Sequence, residues 1–281
     1  MGLYFEFLKT IEEGDSLRCM LLAQRVKLEC GDLECLPSPI FRAVLLEDKQ
    51  MLDLLIGLRI FDLDAQDPSG HTSLHRACSM GVPEIVQILL QAGANPNVST
   101  MMTSNGDIGS IESPLHILAA NESGKTSDVN CIRCLELMVE AGGNLGTLDH
   151  LGLTPLHIAA QKGNIPFIKK AIELGSQPDT LSSSNHTLLM AAVTGGHKKS
   201  VDYMLSVWRD YQFDLNATCR NGCTAVHYAV FMGNAPVLLQ LLEAGASAEK
   251  KNIQGLTAYD HALSRRHPVC IDILKKEMSL L

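Results

Sequence analysis

The stretch Ala119–Thr126, AANESGKT, carries the strongest hint of chemistry in this sequence. A phosphate-cradling loop needs a glycine, four spacer residues and then Gly-Lys-Ser/Thr. It must follow a strand, so that backbone N–H groups meet phosphate at a helix N-terminus. Gly124, Lys125 and Thr126 fit the end of that pattern, but Ala119 replaces its first glycine and Pro114–Ala120 reads as a short helix. The preferred reading is a polar insertion loop, with a nucleotide-binding enzyme as the rival. Cys131 and Cys134 stand three apart on one helix face and, with Cys78 or a histidine of the recurring TPLH phrase, offer part of a zinc set. A structural zinc site usually brings two close ligand pairs, and no second pair matches, so these thiols read as small buried hydrophobes. Cys219 and Cys223 flank a turn. His75, His116, His157 and His227 have the chemistry of acids, bases or ligands, but they occupy one slot of a recurring phrase. They are therefore read as a structural device. No catalytic residue, metal ligand or cofactor is assigned.

The phrase is clearest at Leu151–Asn164, LGLTPLHIAAQKGN, and returns as GHTSLHRACSMG at 70–81 and NGCTAVHYAVFMGN at 221–234. Thr154 suits a helix N-cap, Pro155 the first helical position and Gly163 the left-handed residue that closes a short helix. The threonine slot falls at Ser38, Thr72, Ser113, Thr154, Thr187, Thr224 and Thr257, at intervals of 34, 41, 41, 33, 37 and 33. The longer intervals mark insertions at 98–112, 122–130 and 208–213. A second, longer helical pattern follows each start, as in Glu84–Leu90 and Val237–Leu242, and runs into a Gly-Ala turn such as Ala92–Asn95 or Ala244–Ser247. A period near 33 residues is the mark of a stacked repeat protein.

Thr154–Ala160 with Gly163, and the Ala92–Asn97 close, resemble the ankyrin-repeat family, and the resemblance covers about 240 of the 281 residues. It implies an all-α repeat solenoid of about seven units with β-turn fingers, the outer two divergent. The expected units are 34–66, 67–97, 108–144, 149–179, 182–216, 219–248 and 252–281, forming a domain over 34–281. Residues 1–33 are expected to be two amphipathic helices capping the first repeat, with Leu3, Phe5, Phe7, Leu8 and Ile11 apolar in one and Leu17, Met20, Leu21, Ala23 and Leu28 in the other. Several slots depart from the family pattern. Phe41 replaces the histidine of the first unit, Glu47 its closing glycine, Leu118 the alanine of the third and Asn185 the turn glycine of the fifth. The resemblance also implies that fingers and short helices line a concave face, that the histidine hydrogen-bonds around the finger and helix start, and that fingertips and the last turn of each short helix are free to bind.

Those free positions give the candidate partner-binding residues. They are Met80; Leu151, Leu153, Gln161 and Lys162; Arg220, Asn221, Phe231 and Met232; and Ile253, Leu256 and Arg265. Met101 and Met102 join them from the 98–112 insertion, whose Asn105-Gly106 favours a tight turn. Exposed apolar side chains rimmed by polar ones mark interaction sites. Lys162, Lys169, Lys170, His197, Lys198 and Lys199 form a locally basic zone, read as solvated helix faces with contact to an acidic partner segment as the alternative.

Composition narrows the function classes. The chain is 46% hydrophobic but only 5% aromatic and 19% charged, which fits stacked small helices. A net charge of −8 argues against a nucleic-acid partner. Nine cysteines without a tight framework read as reduced thiols of a cytoplasmic protein, with the nucleus as the alternative location. No signal peptide or membrane insertion is expected, and a monomer is expected. The functional expectation is a non-enzymatic protein–protein interaction module acting as scaffold, adaptor or inhibitor, including a ubiquitin-ligase or transcription-factor adaptor, with the partner unidentified.

Overall fold

The structure is a computed structural model, described over residues 2–29, 38–100, 111–121, 127–211 and 213–278. Every regular element among the described residues is a helix, and the helices come in pairs. The pairs are α1 (Gly2–Glu12) with α2 (Ser16–Glu29), α3 (Pro39–Leu45) with α4 (Lys49–Gly57), α5 (Ser73–Met80) with α6 (Pro83–Gln91), and α7 (Pro114–Ala120) with α8 (Asp128–Glu140). They continue as α9 (Pro155–Lys162) with α10 (Ile165–Glu173), α11 (Leu188–Gly195) with α12 (Lys198–Tyr211), α13 (Ala225–Phe231) with α14 (Ala235–Glu243), and α15 (Ala258–Arg265) with α16 (Pro268–Met278). The chain forms two compact units, Met1–Leu118 with Thr126–Asn144, and Ala119–Lys125 with Leu145–Leu281. In the first, α1 packs on α2 and α3, α3 on α5, and α6 on α8. In the second, α9, α11, α13 and α15 stack in succession, and α12, α14 and α16 do the same. This is an all-α repeat solenoid.

Local chemistry explains the pairing. Thr72, Thr154, Thr224 and Thr257 each cap a short helix through a capping box. Asp48, Asn164 and Asn234 cap the longer helices by accepting the N–H groups of Met51, Phe167 and Val237. Gly81 and Gly163 close short helices in the left-handed region, at φ 66° and 75°, where Glu47 and Arg266 carry side chains at φ 54° and 57°. The alanine slot is wholly buried from Ala43 to Ala262, which lets neighbouring helices approach, and Leu118 is equally buried in the third unit.

The N-terminal pair sits on the first repeat, with the Phe7 and Phe61 rings stacked at 5.8 Å and Arg42 ion-paired to Glu12. Only some of the apolar residues noted in the sequence are buried. Tyr4, Phe7, Thr10 and Ile11 are buried in α1, and Cys19, Leu22, Ala23 and Val26 in α2, whereas Phe5, Leu17, Met20 and Leu21 are exposed. Both helices carry apolar residues on two faces, so periodicity did not single out the packed one. The residues near 208–213 lengthen α12 as far as Tyr211, and α8 already begins at Asp128, within the expected 122–130 insertion.

His75, His157 and His227 each join a helix start to the finger that follows it. The Thr72 N–H donates to Nδ1 of His75 at 3.1 Å, which leaves the proton on Nε2, and that N–H donates to the Glu112 carbonyl at 3.0 Å. His157 does the same between Thr154 and the His186 carbonyl, and His227 between Thr224 and the Leu256 carbonyl, at 2.9 and 3.3 Å on the finger side. A ring so placed must be neutral, because protonated Nδ1 would point a donor at a donor. Burial, the largest cause, lowers His75 from its ordinary 6.5 to about 4 and lowers His157 and His227 in the same sense.

The folded-state pKa lies below the unfolded one, so this stabilisation is complete above about pH 6.5. It is lost as pH falls toward 4, where the unfolded chain holds a proton that the native ring refuses. His75 alone should contribute roughly 3 kcal/mol of that loss. Urea unfolding at pH 7.5 and 4.5 checks this. A His75→Gln variant should be less stable at pH 7.5 and lose markedly less than the native chain on acidification; an equal loss in both would refute the bridge.

Candidate functional site

Each finger is a β-turn whose first residue anchors it. The Asp149 N–H donates to the Leu153 carbonyl and the Gly152 N–H to the Asp149 carbonyl, at 2.9 and 3.0 Å, and Ser182, Cys219 and Asn252 open equivalent turns. In the described fingers the fourth residue is left-handed, Gly70, Gly152, Gly222 or Gly255, and in the fifth unit Asn185 at φ 58°. In most fingers the first side chain also clamps the turn. Oδ1 of Asp149 accepts the N–H groups of Leu151 and Leu153 at 2.8 and 2.7 Å, and Oδ1 of Asn252 those of Gln254 and Leu256 at 3.0 Å. Asp67 and Ser182 do the same. Cys219 does not: its sulfur instead accepts the Tyr228 hydroxyl at 3.4 Å. The Thr100 N–H donates to the Glu112 carbonyl at 2.9 Å, as in the closing bond of the other fingers, and residues 101–110 between them lie outside the described residues.

In the second unit the fingertips are joined by backbone hydrogen bonds. Ser183 donates to Gly152, Arg220 to Ser184 and Ile253 to Asn221, at 2.8, 3.0 and 3.1 Å. The side chains there are thus presented by a rigid row. Between the last two fingers and α13 and α15 opens a cleft of about 380 Å³, lined by Asn221, Cys223, Tyr228, Phe231, Ile253 and His261 among others. The guanidinium of Arg265 lies 3.4 Å from the centroid of the Phe231 ring, and the His261 ring centroid is 5.5 Å from it. Deeper in the cleft, His261 Nε2 is 3.0 Å from Asn252 Nδ2. Burial lowers the pKa of His186 and raises that of Tyr228. Because the Tyr228 hydroxyl donates to the Cys219 sulfur, its oxygen accepts from His186 Nε2–H at 2.7 Å.

Of the residues singled out from sequence, the fold gathers one group here. Asn221, Phe231 and Ile253 line the cleft and Arg265 covers Phe231. Met232, Ile253 and Leu256 are 56%, 71% and 38% exposed, with Phe231 at 38%, so this corner is an apolar surface. Arg220 occupies the adjoining fingertip. Leu151 and Leu153 lie on the fourth finger, and Gln161 and Lys162 end α9, in the same compact unit but outside the cleft lining. Met80 ends α5 in the other unit. Met101 and Met102 lie outside the described residues. Sequence reasoning missed Tyr228, His261 and Asn252. The signal for the first two was present in the slot after the histidine, where Ile117 and Ile158 give way to polar aromatic rings.

A second cavity of about 290 Å³ lies beside α12, lined by Leu188, Met204, Val207, Trp208, Phe213 and Leu215 among others. Trp208 Nε1 donates to the Phe213 carbonyl at its edge, and none of the residues chosen from sequence reaches it. Cys78, Cys131 and Cys134 do come within electrostatic reach of one another, but as buried thiols; desolvation pushes Cys134 up to about 12 and Cys78 further from ionisation. Protonated thiols are poor metal ligands, and no metal-holding group of three occurs among the described residues. Ala119 and Ala120 end helix α7, so no strand leads into AANESGKT, and Glu122–Thr126 lie outside the described residues.

The unclamped sixth finger yields a stability prediction. Cys219→Asp restores the acceptor that Asp149 supplies in the fourth finger, at a position similarly buried. It should raise stability by about 1 kcal/mol, read as a higher urea midpoint; a loss of stability would show that the Tyr228–Cys219 contact outweighs the clamp.

Comparison with known proteins agrees with this architecture. A family model described as "Ankyrin repeats (3 copies)" matches residues 11–100, 115–212 and 163–252. The B-cell lymphoma 3 protein homolog of Mus musculus is 27% identical over 229 residues, which are 79% of this chain and 47% of that protein. The inactive serine/threonine-protein kinase TEX14 of Bos taurus is 30% identical over 148 residues, 51% of this chain and 10% of that protein. The crystal structure of the ankyrin repeat domain of Bcl-3 superposes with a TM-score of 0.64 at 25% identity, covering 85% of this chain and 98% of that one. The chain thus spans less than half the length of these curated relatives.

Proposed function

Because this chain belongs to the ankyrin-repeat family, whose stacked repeats are protein–protein interaction modules, we propose that it holds a partner protein, without catalysis, on the fingers and short helices of its second compact unit. The observation that carries this reading is the exposed apolar corner of Phe231, Met232, Ile253 and Leu256 beside the 380 Å³ cleft. Exposing such side chains on a surface already held in place favours association, since the backbone that presents them has little ordering left to do. Leu151, Leu153, Gln161 and Lys162 extend the surface along the fourth repeat. The repeat's own chemistry points the same way: His75, His157 and His227 each use both ring nitrogens to join a helix start to a finger. Residence in a reducing compartment, cytoplasm or nucleus, is part of the proposal and is supported by described cysteines that are thiols rather than disulfides.

Affinity capture from cell lysate compares the native chain with a Leu153→Ala/Phe231→Ala/Met232→Ala variant. The variant should keep its helical circular dichroism and lose the captured partner. An unchanged partner set with an intact fold would place the interaction elsewhere.

A further inference from the structure

The turns that join short to long helices in the second unit meet one another in a row. A Cβ on Gly163 would strike the His197 ring, one on Gly196 would touch the Asn234 side chain, and one on Gly233 would strike the His267 ring. Four successive turns therefore make a continuous ridge alongside the cleft. Along it stand Lys162, then Lys198 and Lys199, then Phe231 and Met232, then Arg265 and Arg266, all exposed. Segments 161–164, 195–199, 231–235 and 264–267 hold neither Asp nor Glu, in a chain of net charge −8. Among the described residues none of the five cations is in an ion pair, although Arg265 lies over the Phe231 ring; Lys170 of the neighbouring α10, by contrast, pairs with Glu173.

Helix stability accounts for only part of this charge. Lys162 and Arg265 lie in the last turns of α9 and α15, where cations suit the helix dipole. Lys198 and Lys199 instead open α12, at the end where the dipole disfavours them. Arg266 takes the left-handed closing position, φ 57°, that glycine fills at Gly163. Cations are thus present on this ridge at two places where the fold alone would choose otherwise.

We propose that the ridge and cleft together take an extended acidic peptide segment of a partner protein, with a bulky apolar residue entering beside Phe231 and carboxylates on both sides of it facing the cations. This rests on the interaction reading above and gives the partner its chemistry. The order cation, cation, apolar, cation along the ridge sets the order of the occupant. Neighbouring helices lie about 8–10 Å apart, so three intervals span roughly 27 Å, the reach of about eight or nine extended residues at ~3.3 Å each. The apolar step in the middle, with the 380 Å³ cleft beside it, favours a peptide over a nucleic-acid strand, whose charge is uniform.

The test is fluorescence polarisation of the full chain with a labelled nonapeptide carrying a central phenylalanine and glutamate elsewhere. Matched peptides replace glutamate by lysine or phenylalanine by alanine, and a single-stranded oligothymidine of similar length is the fourth probe. The all-glutamate phenylalanine peptide should bind at least about tenfold more tightly than the other three, and less tightly as salt is raised. Lys198→Glu/Lys199→Glu/Arg265→Glu should weaken it about tenfold or more with the fold retained. Arg266→Gly, which relieves the left-handed position, should weaken it by about two- to threefold in a chain at least as stable. Equal binding of acidic and basic peptides, tighter binding of oligothymidine, no binding of any peptide, or indifference to charge reversal would each overturn the proposal. If the acidic peptide fails while lysate capture still depends on Leu153, Phe231 and Met232, the acidic occupant falls and the broader interaction reading stands.

Discussion

A histidine ring held neutral between its own helix cap and the next finger is what turns adjacent helix pairs into a stacked array. The short helices are too brief to persist alone, since nucleation takes most of the stability that so few hydrogen bonds return. Packing of the alanine slot supplies the attraction, but apolar packing is tolerant of rotation. The bond from His157 Nε2 to the His186 carbonyl, and that from His227 to Leu256, fix where each finger stands relative to the helix before it. Everything exposed on the fingers inherits its position from those bonds.

Where the histidine is missing, other groups make the link. The first unit has Phe41 in that slot, and Arg76 of the second lies over its ring at 5.2 Å. The fifth unit has Met190, and there the link comes from the finger instead, through His186 to Tyr228 of the sixth. Tyr228 then occupies Cys219, which stands where the other fingers have an oxygen clamp. One substitution in the repeat thus propagates through two neighbouring slots, and the cleft lies where they meet. In the seventh unit Asp260 serves the cap alone, accepting from Thr257, and the histidine moves one residue on to become His261 of the cleft wall. Departures in the fifth, sixth and seventh units thus meet at the cleft.

The surface separates from the core by the same logic. Slots that bury side chains or spend hydrogen bonds recur almost unchanged, while the slots that remain differ between units and hold the charge and exposed apolar area. The basic ridge is a product of that freedom. Its cations come from three turns separated in the chain, with the apolar turn of Phe231 and Met232 between the second and the third, and only their alignment gives them a common field.

The sequence by itself determined the architecture. A period near 33 residues, with caps and closing glycines at fixed offsets, left one way to pair and stack the helices, because each slot has a local physical requirement that only a few residues meet. It also identified the histidines as structural and Asn221, Phe231, Ile253 and Arg265 as free to serve a surface. It did not determine which face of α1 and α2 is buried, since apolar residues lie on both, and Phe7 was chosen over Phe5 by a partner, Phe61, more than fifty positions away. Nor did it show that Tyr228, His261 and Asn252 wall one cleft, or that Lys162, Lys198, Lys199, Arg265 and Arg266 form one ridge. Local slots are read along the chain, whereas a cleft or a field depends on distances between slots of different repeats, and only the stacking of the helices sets those distances.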